Sequence, residues 1–346
     1  MTGPGTDTRM HREAAEAPER VADFLAARSD HLAPVVTATQ DYAPNFVVTC
    51  ARGSSDHAAT YTKYLIEKKL GLPVVSHAPS LSSVFERPLN YNGALFIAIS
   101  QSGGSPDLIR SVEMARAGGA LTVALVNTVP SPLTEVCEHV VPLMAGPETS
   151  VAATKSCIAS LAAVASLVAL LSGDDDLAAG LNALPSALST AANLDWSAAA
   201  DLLKHANNFY VVGRGLGLGI AQESALKFKE TSGLHAEAFS AAEVKHGPMA
   251  LVKPGFPMLM YAPSSAASKS FKEAAKQAVA AGGSVLSVGA DINGAKAVLP
   301  TVDGLHPALA PIAMIQSFYP MVNALAVARG YDPDQPPQLR KVTETL

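Results

Sequence analysis

The chain repeats itself. Asn45-Phe46-Val47-Val48, running on to Arg52-Gly53, returns as Asn208-Phe209-Tyr210-Val211-Val212, running on to Arg214-Gly215. The two glycines stand 162 residues apart. A second landmark, Ala117-Gly118-Gly119 against Ala281-Gly282-Gly283, recurs at a spacing of 164. Two independent landmarks at nearly one spacing predict two copies of a single folding unit, and 346 residues is length enough for both.

The texture inside each copy is α/β. Short apolar runs occur at Phe46 to Cys50, Pro73 to Ser76, Ala94 to Ile99, Thr122 to Val126 and His139 to Leu143, and several are separated by helical segments such as Ala58 to Lys69. Continuous apolar runs alternating with helices predict a parallel sheet covered on both faces, a doubly wound sandwich. Residues 10 to 40 carry a helical pattern in which Val21, Phe24 and Leu25 share a face. The predicted organisation is a helical arm over 1–40, one α/β domain over 41–176, an Ala-rich helical linker over 177–200, a second α/β domain over 201–332 and a tail over 333–346.

Composition excludes some partners. Hydrophobic residues make up 49% of the chain and charged residues 16%, which suits a buried core and not disorder. Lys and Arg number 25 against 30 Asp and Glu, so there is no basic field for nucleic acid. The opening residues lack a basic segment followed by an apolar run, so no signal peptide is expected. The apolar stretch Ile158 to Leu171 is shorter than the ~20 residues of a membrane span and follows Lys155, which predicts a buried helix in a soluble, cytoplasmic protein. Cys50, Cys137 and Cys157 are far apart without metal-ligand spacing, so neither a disulfide framework nor a metal is expected.

Three hydroxyl-rich segments fall where strands end and helices begin. They are Arg52-Gly53-Ser54-Ser55, Ser100-Gln101-Ser102-Gly103-Gly104-Ser105, and Ser150 to Ser156. Ligands of open parallel sheets bind at the carboxyl ends of strands, where helix N-termini present free N–H groups. Several short donors converging there suit a phosphate monoester, although serine and glycine also favour plain capped turns. No Walker motif or well-placed G-x-G-x-x-G appears, so no nucleotide cofactor is expected.

The densest titratable groups lie between Glu223 and His246. Glu223, Lys227 and Glu230 share one helix face, and His235, Glu237, Glu243, Lys245 and His246 follow. Moving a proton between adjacent sugar carbons requires a carboxylate base and an acid/base group that opens the ring, roles that Glu230 and His246 suit. The bland alternative is a solvated, salt-bridged helix followed by a polar loop. A metal site from His235, Glu237 and His246 is a further alternative without a recognised spacing.

With these motifs the chain resembles the sugar-isomerase (SIS) family, in particular the isomerase half of glucosamine-6-phosphate synthase. The resemblance runs from Met10-His11-Arg12-Glu13 to the tail Asp334-Gln335-Pro336 and Leu339-Arg340-Lys341, through Ser100-Gln101-Ser102-Gly103, Gly146-Pro147-Glu148, Val151 to Lys155, Glu223 to Glu230, His235 to Ala238 and Glu243 to Pro248. It implies two tandem SIS domains. It implies that Ser54, Ser55, Ser100, Gln101, Ser102, Ser105, Ala153 and Thr154 form the phosphate and sugar site. It further implies that Glu230 shuttles the proton with Lys227 beside it, that His246 assists ring opening from the neighbouring subunit of a homodimer, and that Lys341 forms a Schiff base with the open-chain ketose. Two departures stand out: Ala153 replaces a sugar-contacting serine, and Arg52 and Ser54 alter the first loop.

The synthase's glutaminase domain, with its N-terminal cysteine, has no counterpart in this sequence. The expected reaction therefore runs towards ammonia, from glucosamine 6-phosphate to fructose 6-phosphate. Other enzymes of the scaffold (a galactosamine-6-phosphate deaminase, a sugar-amine deglycase, a simple isomerase) fit the same residues. A non-catalytic sugar-phosphate sensor is the alternative of another class, but the ~40 residues before Asn45 are too few and too acidic for a DNA-binding output.

Overall fold

The computed structural model describes residues 7–263 and 267–341. Residues 1–6, which the signal-peptide reading concerned and which open the expected arm, and 342–346, the end of the expected tail, lie outside the described residues.

The apolar runs become two five-stranded sheets. After helices α1 (Arg9–Ala15) and α2 (Ala17–Tyr42), the first sheet is built from β1 (Phe46–Ala51), β2 (Val74–Ser76), β3 (Ala94–Ser100), β4 (Leu121–Val126) and β5 (His139–Pro142). Its crossovers carry α3 (Ser54–Leu70), α4 (Ser80–Ser83), α5 (Pro106–Ala117) and α6 (Pro132–Val136). Helices α7 (Lys155–Ser172), α8 (Asp175–Ala191) and α9 (Ser197–Leu203) lead to the second sheet. That sheet comprises β6 (Asn208–Gly213), β7 (His235–Ser240), β8 (Pro257–Tyr261), β9 (Ser284–Val288) and β10 (Ala297–Leu299), with α10 (Gly217–Ser232), α11 (Ser268–Ala280) and α12 (Ala310–Ala328).

The strand orders are β2-β1-β3-β4-β5 and, read in the same sense, β7-β6-β8-β9-β10. All pairings are parallel. Each sheet therefore has the order 2-1-3-4-5, and the sequence repeat is a repeat of topology. Gly53 and Gly215, at corresponding positions, both adopt φ of +57°. A Cβ is disfavoured in that left-handed turn, which explains why both copies place glycine between strand and helix.

The central strands read as unbroken apolar runs because both faces are covered: all seven residues of β3 are buried. Edge strands β2 and β7 are exposed at alternate or terminal positions. Helices α7 and α12 are apolar all round and long enough, by length and composition, to cross a membrane. In the structure 83% and 78% of their apolar windows are buried inside the protein, as expected of core helices. Burial of Ile158, Leu161, Val164, Leu167 and Val168 on α7 contributes ~1.5–3 kcal/mol per side chain.

The chain divides into two compact units that interleave in sequence. The first-sheet unit comprises residues 19–148 and 155–182 with the tail from Arg340. The second-sheet unit comprises residues up to Pro18, the short segment Thr149–Thr154, and Ala183–Leu339. Thus α1 and Thr149–Thr154 pack with the second sheet, whereas Lys341 belongs with the first.

Candidate active site

In the order 2-1-3-4-5 the winding reverses between β1 and β3, and the crevice for a ligand opens at their carboxyl ends. Both predicted loops of the first-sheet unit are there. Ser54 and Ser55, half-buried, open α3 directly after the Gly53 turn. The turn from Ser100 to Ser105 is held from within: Ser100 Oγ accepts from the Gly103 amide at 3.0 Å and Ser102 Oγ from the Gly104 amide at 3.2 Å. It is also held from outside, where the Leu133 amide donates to Gly103 O at 3.0 Å and the Thr128 amide to Gln101 O at 3.1 Å. Gly103 has φ of +65°, and a Cβ on it would come within 2.2 Å of Ser131 Oγ. A residue with a side chain cannot make this turn without shifting the start of α6.

Below the same turn, a residue that sequence reasoning missed holds Arg52. Asp107, fully buried in the first turn of α5, accepts from Arg52 Nε at 2.8 Å, with Nη2 2.6 Å from the same oxygen. Nothing in the local sequence marks this aspartate beyond its position after Ser105-Pro106 at a helix start.

A second cluster of this unit surrounds Glu148. Its buried carboxylate accepts from Ser156 N at 3.2 Å, from Ser156 Oγ at 2.6 Å and from Lys341 Nζ at 3.1 Å. Glu148 thus ties the tail lysine to the start of α7. Thr149–Thr154 belong to the second-sheet unit, where Thr154 is buried and Ala153 half-buried. Glu13 of α1 grips this segment, accepting from the Thr149 amide at 2.5 Å, the Thr149 hydroxyl at 2.9 Å and the Ser150 amide at 3.1 Å.

On α10 the predicted face is real, but it is not solvated. Glu223 and Lys227 are buried, and Tyr319 of α12 donates to Glu223 Oε1 at 3.1 Å. Lys227 Nζ lies 3.6 Å from Glu223 Oε1 and in short contact with Glu230 Oε2. Of the three, only Glu230 reaches the surface, with 19% of its side chain exposed. A carboxylate held by an ammonium and open on one side has the geometry of a general base. The segment beyond is not merely a loop: His235 and Glu237 lie on edge strand β7, both exposed on one face. His246 follows the 3₁₀ turn Glu243–Lys245, exposed, with its amide donating to Glu243 O at 2.8 Å. Among the described residues, no group of three or more His, Cys, Asp or Glu side chains is arranged to hold a metal ion.

The structure therefore brings together Glu223, Lys227, Glu230 and Tyr319 in one unit, and in the other the two serine loops with Arg52 and Asp107, and Glu148 with Ser156 and Lys341. His246 lies exposed directly after the 3₁₀ turn Glu243–Lys245.

A family model described as SIS domain matches residues 43–170 and 202–291, one match on each sheet. The chain is 31% identical over 347 residues to the isomerizing glutamine–fructose-6-phosphate aminotransferase of Pyrococcus horikoshii, covering 97% of this chain and 58% of that protein. It thus spans little more than half the length of that relative. Among solved structures, a proposed phosphosugar isomerase from Silicibacter pomeroyi DSS-3 is 43% identical with a TM-score of 0.90, covering 94% of this chain and all of that one. The C-terminal domain of glucosamine-fructose-6-phosphate aminotransferase from Francisella tularensis is 25% identical with a TM-score of 0.86, covering 95% and 98%. A topology present twice and a family model matched once on each copy carry the same conclusion: the chain is a tandem member of the SIS domain family.

Proposed function

We propose that the chain is a cytoplasmic, homodimeric enzyme of aldose–ketose chemistry on an amino-sugar phosphate, converting glucosamine 6-phosphate and water to fructose 6-phosphate and ammonia. The observation that carries this reading is the ion cluster of α10, in which a buried lysine holds one partly open carboxylate. The family's isomerizing relatives support the reaction class.

In the proposed mechanism Ser54, Ser55, Ser100, Gln101, Ser102 and Ser105, with the backbone at Ala153 and Thr154, hold the phosphate and neighbouring hydroxyls. Ring opening carries the C1 hydroxyl proton to the ring oxygen, assisted by His246 of the neighbouring subunit. Glu230, steadied by Lys227, removes the C2 proton and leaves an enolamine, which takes a proton at C1. The resulting C2 imine adds water, and ammonia departs with the electrons of the C–N bond. Lys341, which pairs with Glu148, forms a Schiff base with the open-chain ketose in this reading.

The test is ammonia release from glucosamine 6-phosphate by the purified protein, coupled to fructose 6-phosphate detection, with the galactosamine and N-acetyl analogues alongside. Release of both products in equal amounts is expected, falling at least ~100-fold in Glu230→Gln, the range typical of a lost general base. Near-normal turnover by a folded Glu230→Gln, or no ammonia from any of the three sugars, defeats the proposal.

A further inference from the structure

Arg52 is one of the positions at which the first loop departs from the synthase pattern, and its surroundings give it work. The last paired residues of β1 and β3 are Ala51 and Ile99, so Arg52 follows directly beside Ser100 at the switch point. From there its side chain reaches the buried carboxylate of Asp107, two residues beyond Ser105. One oxygen of that carboxylate takes both guanidinium contacts, and the other accepts the Leu108 amide at 2.8 Å, which fixes the acceptor at the head of α5.

The two ends of this pair are unlike in exposure. Asp107 is sealed, whereas 48% of the Arg52 side chain is exposed. Nε and Nη2 contact Asp107, which leaves further N–H donors of the guanidinium on a half-exposed side chain. The pair is thus a fixed dipole whose positive end belongs to the residue that precedes Gly53-Ser54-Ser55 and that follows β1 beside Ser100 in register. The Arg52 charge joins His57 in opposing the burial-driven rise at Asp56 in the first turn of α3 and, after burial, adds to the lowering at His77. Serine hydroxyls offer a phosphate neutral hydrogen bonds, but a latched guanidinium offers two charge-assisted bonds and a countercharge.

We infer that Arg52, latched by Asp107, is a direct phosphate ligand that selects phosphorylated over unphosphorylated sugars. The inference rests on the proposed binding of a sugar phosphate at these loops. It assigns Arg52 to binding and not to the proton transfer, so its loss falls on KM and not on kcat.

The experiment compares the wild type with Arg52→Lys, Arg52→Ala and the double variant Arg52→Met with Asp107→Asn, which leaves no buried charge unpaired. KM and kcat are measured on glucosamine 6-phosphate, and binding of inorganic phosphate is followed by calorimetry at pH 5.5 and pH 8. Both charge-removing variants are expected to raise KM about tenfold or more, with kcat within about twofold, as the loss of charge-assisted bonds implies. Phosphate affinity should fall alongside, more at pH 8 than at pH 5.5, because inorganic phosphate is mainly the dianion at pH 8 and mainly the monoanion at pH 5.5. Arg52→Lys should recover part of the loss. Unchanged phosphate affinity in the variants, a loss equal at both pH values, or no phosphate binding by the wild type overturns the inference. Should phosphate bind through Arg52 while no amino-sugar phosphate turns over, the reaction reading falls and the phosphate ligand stands; turnover indifferent to Arg52 gives the reverse.

Discussion

Lys227 has no route to water: it is buried in α10, with Glu223 one turn behind it and Glu230 one turn ahead. A buried ammonium is tolerable only where carboxylates compensate it, and removing one member of such a set leaves an uncompensated charge. Lys227→Met should therefore destabilise the fold by about 3–5 kcal/mol, read as a large drop in the denaturant midpoint. Adding Glu223→Gln should restore much of the stability by removing the orphaned carboxylate, without restoring turnover. Recovery of activity along with stability would show that the cluster is structural. The spacing of these three residues was legible in the sequence, but their burial was not. It depends on Tyr319, which reaches Glu223 from a helix 96 residues away, and no local pattern announces that contact. Asp107 escaped for a related reason. An aspartate at a helix start is ordinary, and only the fold brings Arg52 onto it.

At the scale of elements, α1 shows how a short helix is given a task. Its first amides are taken by the tail: Arg9 N and Met10 N donate to the Asp334 carboxylate at 2.7 and 2.8 Å. Its end is held by Gln316, which donates to Ala14 O at 3.0 Å. So fixed, α1 presents Glu13 to Thr149 and Ser150 and sets the segment that carries Ala153 and Thr154. Burial alone would raise the Glu13 pKa, but the bonds from Ser150 and Thr149 outweigh it and hold the carboxyl below its ordinary value. A carboxyl whose folded pKa lies below its unfolded one stabilises the protein above the unfolded value, about 4.3, and loses that contribution as pH falls through the folded value. Glu13→Gln should accordingly cost about 1–3 kcal/mol near neutrality, with the gap to the wild type closing as pH falls below about 4. Melting curves of both proteins from pH 7 to pH 3 check this, and a gap independent of pH would mean that the charge does not matter. The motif Met10 to Glu13 was recognisable in the sequence only as similarity, because its partners lie 136 residues downstream. Strands were legible in proportion to burial. The unbroken run of β3 stands out, whereas edge strand β7, His235–Ser240, alternates polar and small residues and offers no such run.

At the scale of the whole molecule, the duplication separates what the fold needs from what the chemistry needs. Carried back by the 162-residue repeat, Glu223, Lys227 and Glu230 fall on Tyr61, Leu65 and Lys68 of α3. Tyr61 and Leu65 are fully buried, so in the sister copy an uncharged side chain fills each of those places. Burying this helix face thus requires no ions, and the charged set on α10 is a departure that stability does not explain. Conversely Ser54 and Ser55 open α3 where Leu216 and Gly217 begin the equivalent helix, so of these two helices one carries the hydroxyls and the other the buried ion cluster. A chain that divides its chemistry in this way can also divide it between subunits, as proposed for His246, which lies exposed after its own turn. Glu230→Gln and His246→Ala should each be inactive alone. Co-expressed in equal amounts and assembled at random, half of their dimers are mixed, and each mixed dimer regains one site with Glu230 from one subunit and His246 from the other. About a quarter of the wild-type activity should return, as two-fold symmetry requires. If His246 instead serves Glu230 within its own chain, every site in the mixture lacks one group and no activity returns.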